Sequence, residues 1–365
     1  MKITHTEIYK LTIKMEPFVI ATEVSYYTQN IFIRIHTDEG ITGMGECSAF
    51  PMLVGETQNT CFEVAKDFAR LSVEKDPLDI TGRMQDLHDY IAFNSTIKSA
   101  WDMALHDIAA KKAGLPLYKF LGGRKKTIQT DLTIGIGSPD TMQQTAREFV
   151  ADGVKIIKVK LGKIGEVDVE RIRLIREAVG PEIKLRIDAN QGWNFEEAVA
   201  TLQALEQYDI QYCEQPIRRH LDPLLPALRK LSPIRIMADE SVFDHHDAIR
   251  LIEADAVDYI NIKLAKSGGL LEAKMIADEA GKRGIACMMG GMLESRLGLT
   301  AKVHFAMAND NIIFYDLDTC LLGQLEDPVV GGARYNNYFL EITDEPGIAA
   351  DIDESFLSRC EKIII

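Results

Sequence analysis

Eight short apolar runs of strand length alternate with longer segments of helical periodicity between residues 130 and 317, and this pattern restricts the fold more than any other feature of the sequence. Strands that alternate with helices are typical of βαβ units and a parallel sheet. Eight successive units predict a closed barrel rather than an open sheet. The apolar runs span residues 130–136, 156–161, 184–187, 210–213, 234–238, 259–264, 286–289 and 312–317.

The residues on either side of this stretch follow other patterns. Residues 3–13 alternate like a strand, and apolar side chains recur at helical spacing from about residue 57 to Gly114. A further strand-like run lies at 338–342. The predicted fold class is therefore α/β, a modified TIM-like (β/α) barrel with an α+β N-terminal capping domain that the C-terminal tail completes. The predicted parts are a capping domain at 1–125, a barrel at 126–322 and a returning C-terminal segment at 323–365.

Charge and composition exclude several classes of protein. The chain has 365 residues with 41 Lys and Arg against 55 Asp and Glu, a net charge of −14, and 46% of its residues are hydrophobic. This composition excludes a disordered chain, and the acidic balance argues against nucleic acid or an anionic membrane as partner. The apolar runs are too short to span a bilayer, the first residues have no apolar signal core, and the cysteines are scattered singly. We therefore expect a cytoplasmic protein that binds neither nucleic acid nor membrane.

Charged side chains occupy the carboxyl ends of the predicted barrel strands. Successive members of this series from Lys160 to Lys263 lie 24 to 28 residues apart, which is one βα unit. Barrel enzymes build their active sites at this end of the strands, whereas packing positions inside the barrel are apolar. The series therefore predicts one polar pocket, and its members are Lys158, Lys160, Asp188, Glu214, Asp239, Lys263, Asp316 and Asp318.

Three carboxylates of the series predict a metal site. Asp188, Glu214 and Asp239 follow three consecutive strands, and adjacent parallel strands lie about 4.8 Å apart. Without a cation the three side chains would repel one another. Oxygen ligands with no His or Cys set nearby favour Mg²⁺ over Zn²⁺. The alternative, in which these residues only cap helices, does not explain the lysines.

The lysines of the series predict the chemistry. Lys158 and Lys160 are two residues apart and share one face of their strand, whereas Lys263 comes from a strand on the far side of the barrel. Burial and a neighbouring cation can lower a lysine pKa to about 7–8, where the amine works as a base. A base on one face of a carbon and an acid on the other face would invert that carbon. The ring therefore predicts a racemase or epimerase that acts beside a carboxylate.

Five motifs of the ring resemble those of the muconate-lactonising subgroup of the enolase superfamily, and the resemblance covers essentially the whole chain. It implies a capped barrel with one Mg²⁺ per subunit bound by the three carboxylates. It is also compatible with assembly into a homo-oligomer. It also implies that Lys160 and Lys263 are the two acid/base residues and that Lys158 tunes Lys160. The motifs are Lys158-Val159-Lys160, Asp188-Ala189-Asn190-Gln191-Gly192-Trp193, Glu214-Gln215-Pro216, Ala238-Asp239-Glu240-Ser241 and Asn261-Ile262-Lys263.

A pair of aspartates narrows the resemblance to the dipeptide epimerases. Asp316 and Asp318 share one face of the eighth strand, within Phe314-Tyr315-Asp316-Leu317-Asp318. In that family such a pair binds the N-terminal ammonium group of a dipeptide, while the metal binds its C-terminal carboxylate. The resemblance also implies that the substrate contacts Thr133 and the turn at Gly291, Met292 and Leu293.

One position departs from the resemblance. Family members that act on Ala-Glu carry an arginine in the loop after the first strand, and Glu23 lies at that position here. A carboxylate would repel an acidic substrate side chain. Because Val19, Ile20 and Val24 make the loop apolar, we expect the substrate to be an Ala-Xaa dipeptide with a small or hydrophobic second residue, such as Ala-Ala. A cationic second residue is the alternative if Glu23 points into the pocket. The expected reaction is a Mg²⁺-dependent, two-base 1,1-proton transfer through an enediolate.

The sequence is compatible with two other functions. Another reaction of the subgroup, such as N-acylamino acid racemisation, o-succinylbenzoate synthesis or muconate cycloisomerisation, fits the ring of lysines and carboxylates. Those substrates have no ammonium group that would explain Asp316 and Asp318. A non-catalytic binding barrel would need neither both acid/base lysines nor all three metal-site carboxylates.

Overall fold

An antiparallel sheet packed against helices forms the N-terminal part of the chain in the computed structural model, which describes residues 1–21, 24–162 and 164–365. Its elements are β1 (Ile3–Leu11), β2 (Lys14–Val19), β3 (Val24–Tyr27), β4 (Asn30–Thr37), β5 (Thr42–Ser48), α1 (Pro51–Val54), α2 (Gln58–Ser72), α3 (Ile80–Tyr90), α4 (Ser95–Lys112) and α5 (Leu117–Phe120). Strand β4 lies between β1 and β5, and β2 pairs with β3 as a separate hairpin.

Helix α4 is buried along almost its whole length and packs directly on the backbone of β5. Glycines in the strand permit this close approach. A Cβ on Gly43 would lie 2.2 Å from the Ala104 carbonyl oxygen, and one on Gly45 would lie 2.0 Å from that of Ala100. Any larger residue at either position would therefore push the helix away from the sheet.

Eight parallel strands alternate with helices and form a nearly closed barrel, which confirms the predicted fold class. The elements are β6 (Leu132–Ile134), α6 (Pro139–Ala151), β7 (Ile156–Lys160), α7 (Gly165–Val179), β8 (Lys184–Asp188), α8 (Phe195–Ala204), β9 (Ile210–Glu214), α9 (Leu225–Leu231), β10 (Ile236–Ala238), α10 (His245–Glu253), β11 (Tyr259–Ile262), α11 (Leu264–Ser267), α12 (Leu270–Lys282), β12 (Ala286–Gly290), α13 (Arg296–Ala308) and β13 (Ile312–Asp316). Between the first and last strands, the Asp131 N–H donates to the Tyr315 carbonyl oxygen at 3.3 Å.

The register of the barrel strands aligns their charged carboxyl ends. Lys160 lies beside Asp188, and Asp188 lies beside Glu214. Farther round the barrel, Asp316 lies beside Gly290. Because the strands are parallel and in chain order, the charged residues that end them meet at one rim.

The C-terminal segment returns from the barrel to the N-terminal sheet. Its elements are β14 (Val329–Gly331), β15 (Arg334–Asn336), β16 (Phe339–Glu341), β17 (Ala350–Ile352), α14 (Glu354–Leu357) and β18 (Lys362–Ile364). Strand β18 pairs antiparallel with β1, and Arg34 of β4 lies 2.8 Å from Asp351 and 2.5 Å from Glu354. The domain boundaries near 125 and 322 stay predictions. Within the described ranges, the helices are all too short or too polar to cross a bilayer.

Candidate active site

A pocket at the carboxyl rim of the barrel brings the predicted residues together. Lys158, Asp188 and Glu214 are fully buried beside it, and Lys158 and Asp188 contact lining residues. Glu23 lies outside the described residues. The predicted residues that line the pocket are Thr133, Lys160, Asp239, Lys263, Gly291, Met292, Leu293, Asp316 and Asp318.

Lys160 and Lys263 come to the pocket from opposite sides of the barrel, four strands apart. Lys160 Nζ lies 2.7 Å from Asp188 Oδ2, and Lys263 Nζ lies 2.8 Å from Asp239 Oδ2. Burial alone would lower the pKa of Lys263, but the Asp239 charge outweighs burial and raises it. Lys263 is therefore held as an ammonium group beside Asp239.

Lys158 is fully buried and connects two groups of carboxylates. Its Nζ lies 2.7 Å from a Glu214 oxygen and 2.7 Å from an Asp316 oxygen. Burial opposes its charge, but the Asp316 and Glu214 carboxylates raise its pKa well above the usual value. Lys158 is therefore a fixed positive charge beside the pocket rather than part of its lining.

The predicted metal ligands are a crowded and buried set. Asp188, Glu214 and Asp239 are each at most 1% exposed. Burial and the Asp188 charge raise the pKa of Glu214 to about 7. Burial and the Asp239 charge raise the pKa of Glu240 to about 8, and Glu240 Oε2 has no hydrogen-bond partner in the described part of the chain. Crowded oxygen ligands of this kind fit a divalent cation such as Mg²⁺.

The formal charge of the buried ring leads to the same conclusion. With every group ionised, its carboxylates outnumber its cationic groups by two, and one divalent cation would balance that excess. Burial of uncompensated charge is costly, and this balance therefore favours a bound dication. The carboxylates are Asp131, Asp188, Glu214, Asp239, Glu240, Asp316 and Asp318, and the cationic groups are Lys158, Lys160, Arg186, Lys263 and Lys266.

A second buried carboxylate group consists of Asp131, Asp316 and Asp318, whose oxygens lie within 4.8 Å of one another and could also hold a divalent metal. Arg186 lies 2.8 Å from Asp131, and Lys158 lies 2.7 Å from Asp316. Asp318 has no cationic partner among the described residues, and burial and the Asp316 charge raise its pKa well above the usual value. One further positive charge therefore suits the space beside Asp318.

Apolar side chains from separate segments form the walls of the pocket. The Val19 carbonyl oxygen, at the end of β2, accepts a hydrogen bond from the Ile136 N–H at 2.9 Å and so holds the hairpin against the barrel. The loop around Ile20 was expected from the sequence, whereas the contribution of α1 was not. The apolar lining residues are Phe18, Ile20, Phe50, Met52, Leu53, Met292, Leu293 and Leu322.

A buried carboxylate of the N-terminal sheet holds the turn at 291–293 in place. Glu46 of β5 accepts hydrogen bonds from the Ser295 N–H and hydroxyl at 2.8 and 2.7 Å and from the Gly298 N–H at 2.8 Å, at the start of α13. Asn30 donates both to Glu46 at 2.7 Å and to the Leu293 carbonyl oxygen at 3.0 Å. One network thus joins the sheet, the helix and a pocket wall.

Replacing Glu46 with glutamine should destabilise the protein and disturb the pocket. All the partners described above are donors, so the new NH₂ group would face donors and leave buried groups unpaired. We expect a loss of about 1–3 kcal/mol in the free energy of unfolding and a rise in KM larger than any fall in kcat. Urea unfolding and steady-state kinetics measure both. Glu63→Gln, at an exposed ion pair with Lys66, should change neither quantity, and equal effects of the two variants would contradict this role.

Comparison with known proteins extends these observations. Residues 3–122 match the model "Mandelate racemase / muconate lactonizing enzyme, N-terminal domain", and residues 141–356 match "Enolase C-terminal domain-like". The chain is 45% identical to the D-Ala-D/L-Ala epimerase of Cytophaga hutchinsonii over 100% of both chains. It is 40% identical to the hydrophobic dipeptide epimerase of Enterococcus faecalis over 95% of this chain and 98% of that protein.

A solved structure gives the same relationship. The dipeptide epimerase of Cytophaga hutchinsonii, in complex with Mg and the dipeptide D-Ala-L-Val, superposes with a TM-score of 0.99 at 45% identity over 100% of both chains. The predicted membership of the enolase superfamily is confirmed. The matched models and these relatives show that the chain belongs to the mandelate racemase/muconate lactonizing enzyme family of that superfamily and is an enzyme of the isomerase class.

Proposed function

We propose that this chain is a dipeptide epimerase that inverts the α-carbon of the C-terminal residue of an Ala-Xaa dipeptide with a small or hydrophobic Xaa. The observation that carries the proposal is the pair of lysines, Lys160 and Lys263, on opposite sides of one pocket. The names of the relatives support it, because one acts on D-Ala-D/L-Ala and the other on hydrophobic dipeptides.

The metal of this reaction would be Mg²⁺, held by Asp188, Glu214 and Asp239. The Mg in the structure of the relative supports this identity. When bound, a divalent cation supplies positive charge that attracts the substrate carboxylate and favours loss of the neighbouring α-proton. The assignment to these residues rather than to the Asp131 group rests on their burial and mutual repulsion, which raise the pKa of Glu214. It rests also on Asp318 of the other group, which has no cationic partner among the described residues and suits an ammonium ion.

Two lysines would move the proton. In one direction Lys160 takes the α-proton and Lys263 delivers a proton to the opposite face, and in the other direction they exchange roles. Asp188 and Asp239, within 2.8 Å of these amines, would hold them in position. Lys158, fixed between carboxylates, would keep the surroundings of Lys160 positive.

Asp316 and Asp318 would bind the ammonium group at the other end of the dipeptide. Asp318 Oδ2 already accepts the Thr133 N–H at 2.7 Å, which orients the carboxylate toward the pocket. Binding a substrate cation would stabilise the ionised form of Asp318 and offset the effect of Asp316 on its pKa. Thr133 and the turn at 291–293 are the proposed neighbours of the substrate backbone.

The walls of the pocket set the preference for the second side chain. Eight of the lining residues have apolar side chains, and the cationic groups that line the pocket among the described residues are Lys160 and Lys263, both paired with carboxylates. A glutamate side chain would therefore find no free positive partner among the described lining residues and would be costly to desolvate. An aliphatic side chain would instead bury its surface against Phe18, Ile20 or Leu53.

A dipeptide panel tests this preference. We expect Ala-Ala and Ala-Val to be epimerised with kcat/KM at least roughly 100-fold above Ala-Glu, because an unpaired buried carboxylate costs several kcal/mol. The panel should contain L- and D-alanine at the first position, and polarimetry or chiral chromatography follows the reaction. Equal or faster turnover of Ala-Glu would refute the preference, and no turnover of any dipeptide would refute the activity.

Asp318→Asn should weaken dipeptide binding selectively. The amide oxygen can still accept the Thr133 N–H, but the side chain can no longer offer a negative charge to the ammonium group. Loss of a charged hydrogen bond of about 1.5–3 kcal/mol corresponds to a KM roughly 10- to 100-fold higher. Inhibition by an N-acetylated Ala-Ala, which has no ammonium group, should change little. An equal loss for both compounds would mean that Asp318 has a structural role instead.

A further inference from the structure

Two histidines and a glutamate lie together on the N-terminal sheet, outside the pocket lining. His5 of β1 is directly opposite His36 of β4, and Glu7 lies two residues further along the same face. The imidazole rings stack with centroids 4.2 Å apart and planes inclined by 6°. His36 Nε2 lies 2.7 Å from Glu7 Oε1, and one ligand atom from each of the three side chains lies within 4.8 Å of the others.

Each of these side chains has an additional partner that fixes its orientation. His5 Nδ1 lies 3.0 Å from the Thr4 hydroxyl, and His36 Nδ1 lies 3.5 Å from the Thr42 hydroxyl. The Nδ1 contacts leave Nε2 of both rings for a metal, and an ion bound there would replace the hydrogen bond between His36 Nε2 and Glu7 Oε1. The Tyr9 hydroxyl donates a hydrogen bond to the second oxygen of the neighbouring carboxylate. Metal-binding histidines and carboxylates characteristically have such outer hydrogen bonds.

The surroundings of the cluster also suit a metal. Glu7 contributes a carboxylate, and the Tyr9 hydroxyl holds its second oxygen. The guanidinium of Arg34, in the neighbouring strand, is held by two acidic residues of the C-terminal segment and so does not compete for Glu7.

We propose that His5, Glu7 and His36 form a second metal site, separate from the barrel pocket, for Zn²⁺ or a similar divalent transition ion. Two imidazoles and one carboxylate are a recognised zinc ligand set, with a fourth position left for water. Mg²⁺ prefers oxygen ligands and would not compete well here. The rings must open from their stacked arrangement for both nitrogens to reach one ion, and the His36 side chain is 27% exposed on this face of the sheet.

The ion would join β1 to β4. These strands are the centre of the sheet that also carries β5 and β18. Zinc would therefore stabilise the N-terminal part of the protein without taking part in the chemistry of the pocket. This role is independent of the proposed epimerase activity, so the two can fail separately.

Zinc binding to the full-length, Mg²⁺-saturated protein tests the site. The protein is stripped with a chelator, dialysed into excess Mg²⁺ and titrated with Zn²⁺ by calorimetry. We expect one equivalent of Zn²⁺ to bind and to raise the midpoint of thermal unfolding. Crystals soaked in Zn²⁺ and measured on both sides of the zinc absorption edge should show an anomalous peak between the two rings.

Variants locate the binding. His36→Asn and His5→Asn should each weaken zinc binding at least about tenfold. Loss of an outer hydrogen-bonding partner of a metal site already costs that much, and a direct ligand should cost more. His246→Asn is the matched control, because it removes a histidine from another contacting pair, with ring centroids 4.0 Å apart. It should leave zinc affinity unchanged. Unchanged affinity in both sheet variants, or an anomalous peak in the barrel alone, would overturn the proposal.

Discussion

Replacing either Lys160 or Lys263 with alanine is expected to abolish epimerisation while leaving α-proton exchange in one stereoisomer of the substrate. Each variant keeps a single lysine on one side of the pocket, so it can still remove and return a proton on that face. The two variants should therefore exchange opposite stereoisomers. Loss of one acid/base group should lower kcat for inversion by roughly 10²–10⁴-fold or more.

Proton NMR in D₂O measures this exchange separately for the L,L and L,D forms of alanyl-alanine and for the forms with D-alanine first. Lys184→Ala is the matched control, because Lys184 is exposed at the opposite end of strand β8 from Asp188. It should behave like the unmodified protein. Retention of inversion in either pocket variant, or loss of exchange from the same stereoisomer in both, would contradict the two-lysine arrangement.

Removal of divalent cations is expected to reduce activity to background, and added Mg²⁺ should restore it. The buried ring has two more carboxylates than cationic groups, and that excess is unfavourable without a dication. Dialysis against a chelator followed by Mg²⁺ titration, with activity and calorimetry as separate readouts, measures the requirement. Full activity in excess chelator would contradict the metal assignment.

Two isosteric variants distinguish the carboxylate groups. Glu214→Gln should weaken Mg²⁺ binding by at least about tenfold, because even outer partners of metal sites contribute that much. Asp131→Asn, in the group that also includes Asp316 and Asp318, should leave Mg²⁺ affinity largely unchanged and weaken dipeptide binding instead. The reverse pattern would place the metal in the second group.

The barrel could be predicted from sequence because its strands are buried on both faces and read as continuous apolar runs. The run predicted at 156–161 forms Ile156–Lys160, and the run predicted at 286–289 forms Ala286–Gly290. The charged ring followed from the same regularity, since one charged residue ends most units. Its members converge because parallel strands end at one rim.

Other parts of the site carried no such signal. Arg186 lies inside a strand rather than at its end, and Lys266 lies in the short helix after Lys263, so neither belongs to the periodic series. Glu46 and Ser295 are hydrogen-bonded partners 249 residues apart in the sequence. Only the folded chain shows such contacts. The raised pKa values of Lys158 and Lys263 likewise depend on carboxylates that the fold brings beside them.

Solvent deuterium exchange by the unmodified protein tests the central claim most directly. Alanyl-alanine is incubated in D₂O with the Mg²⁺-loaded enzyme, and NMR follows the α-proton of each residue. Deuterium is expected at the α-carbon of the C-terminal residue, in both stereoisomers, together with inversion at that carbon. No exchange there, or exchange confined to the N-terminal residue, would contradict the claim.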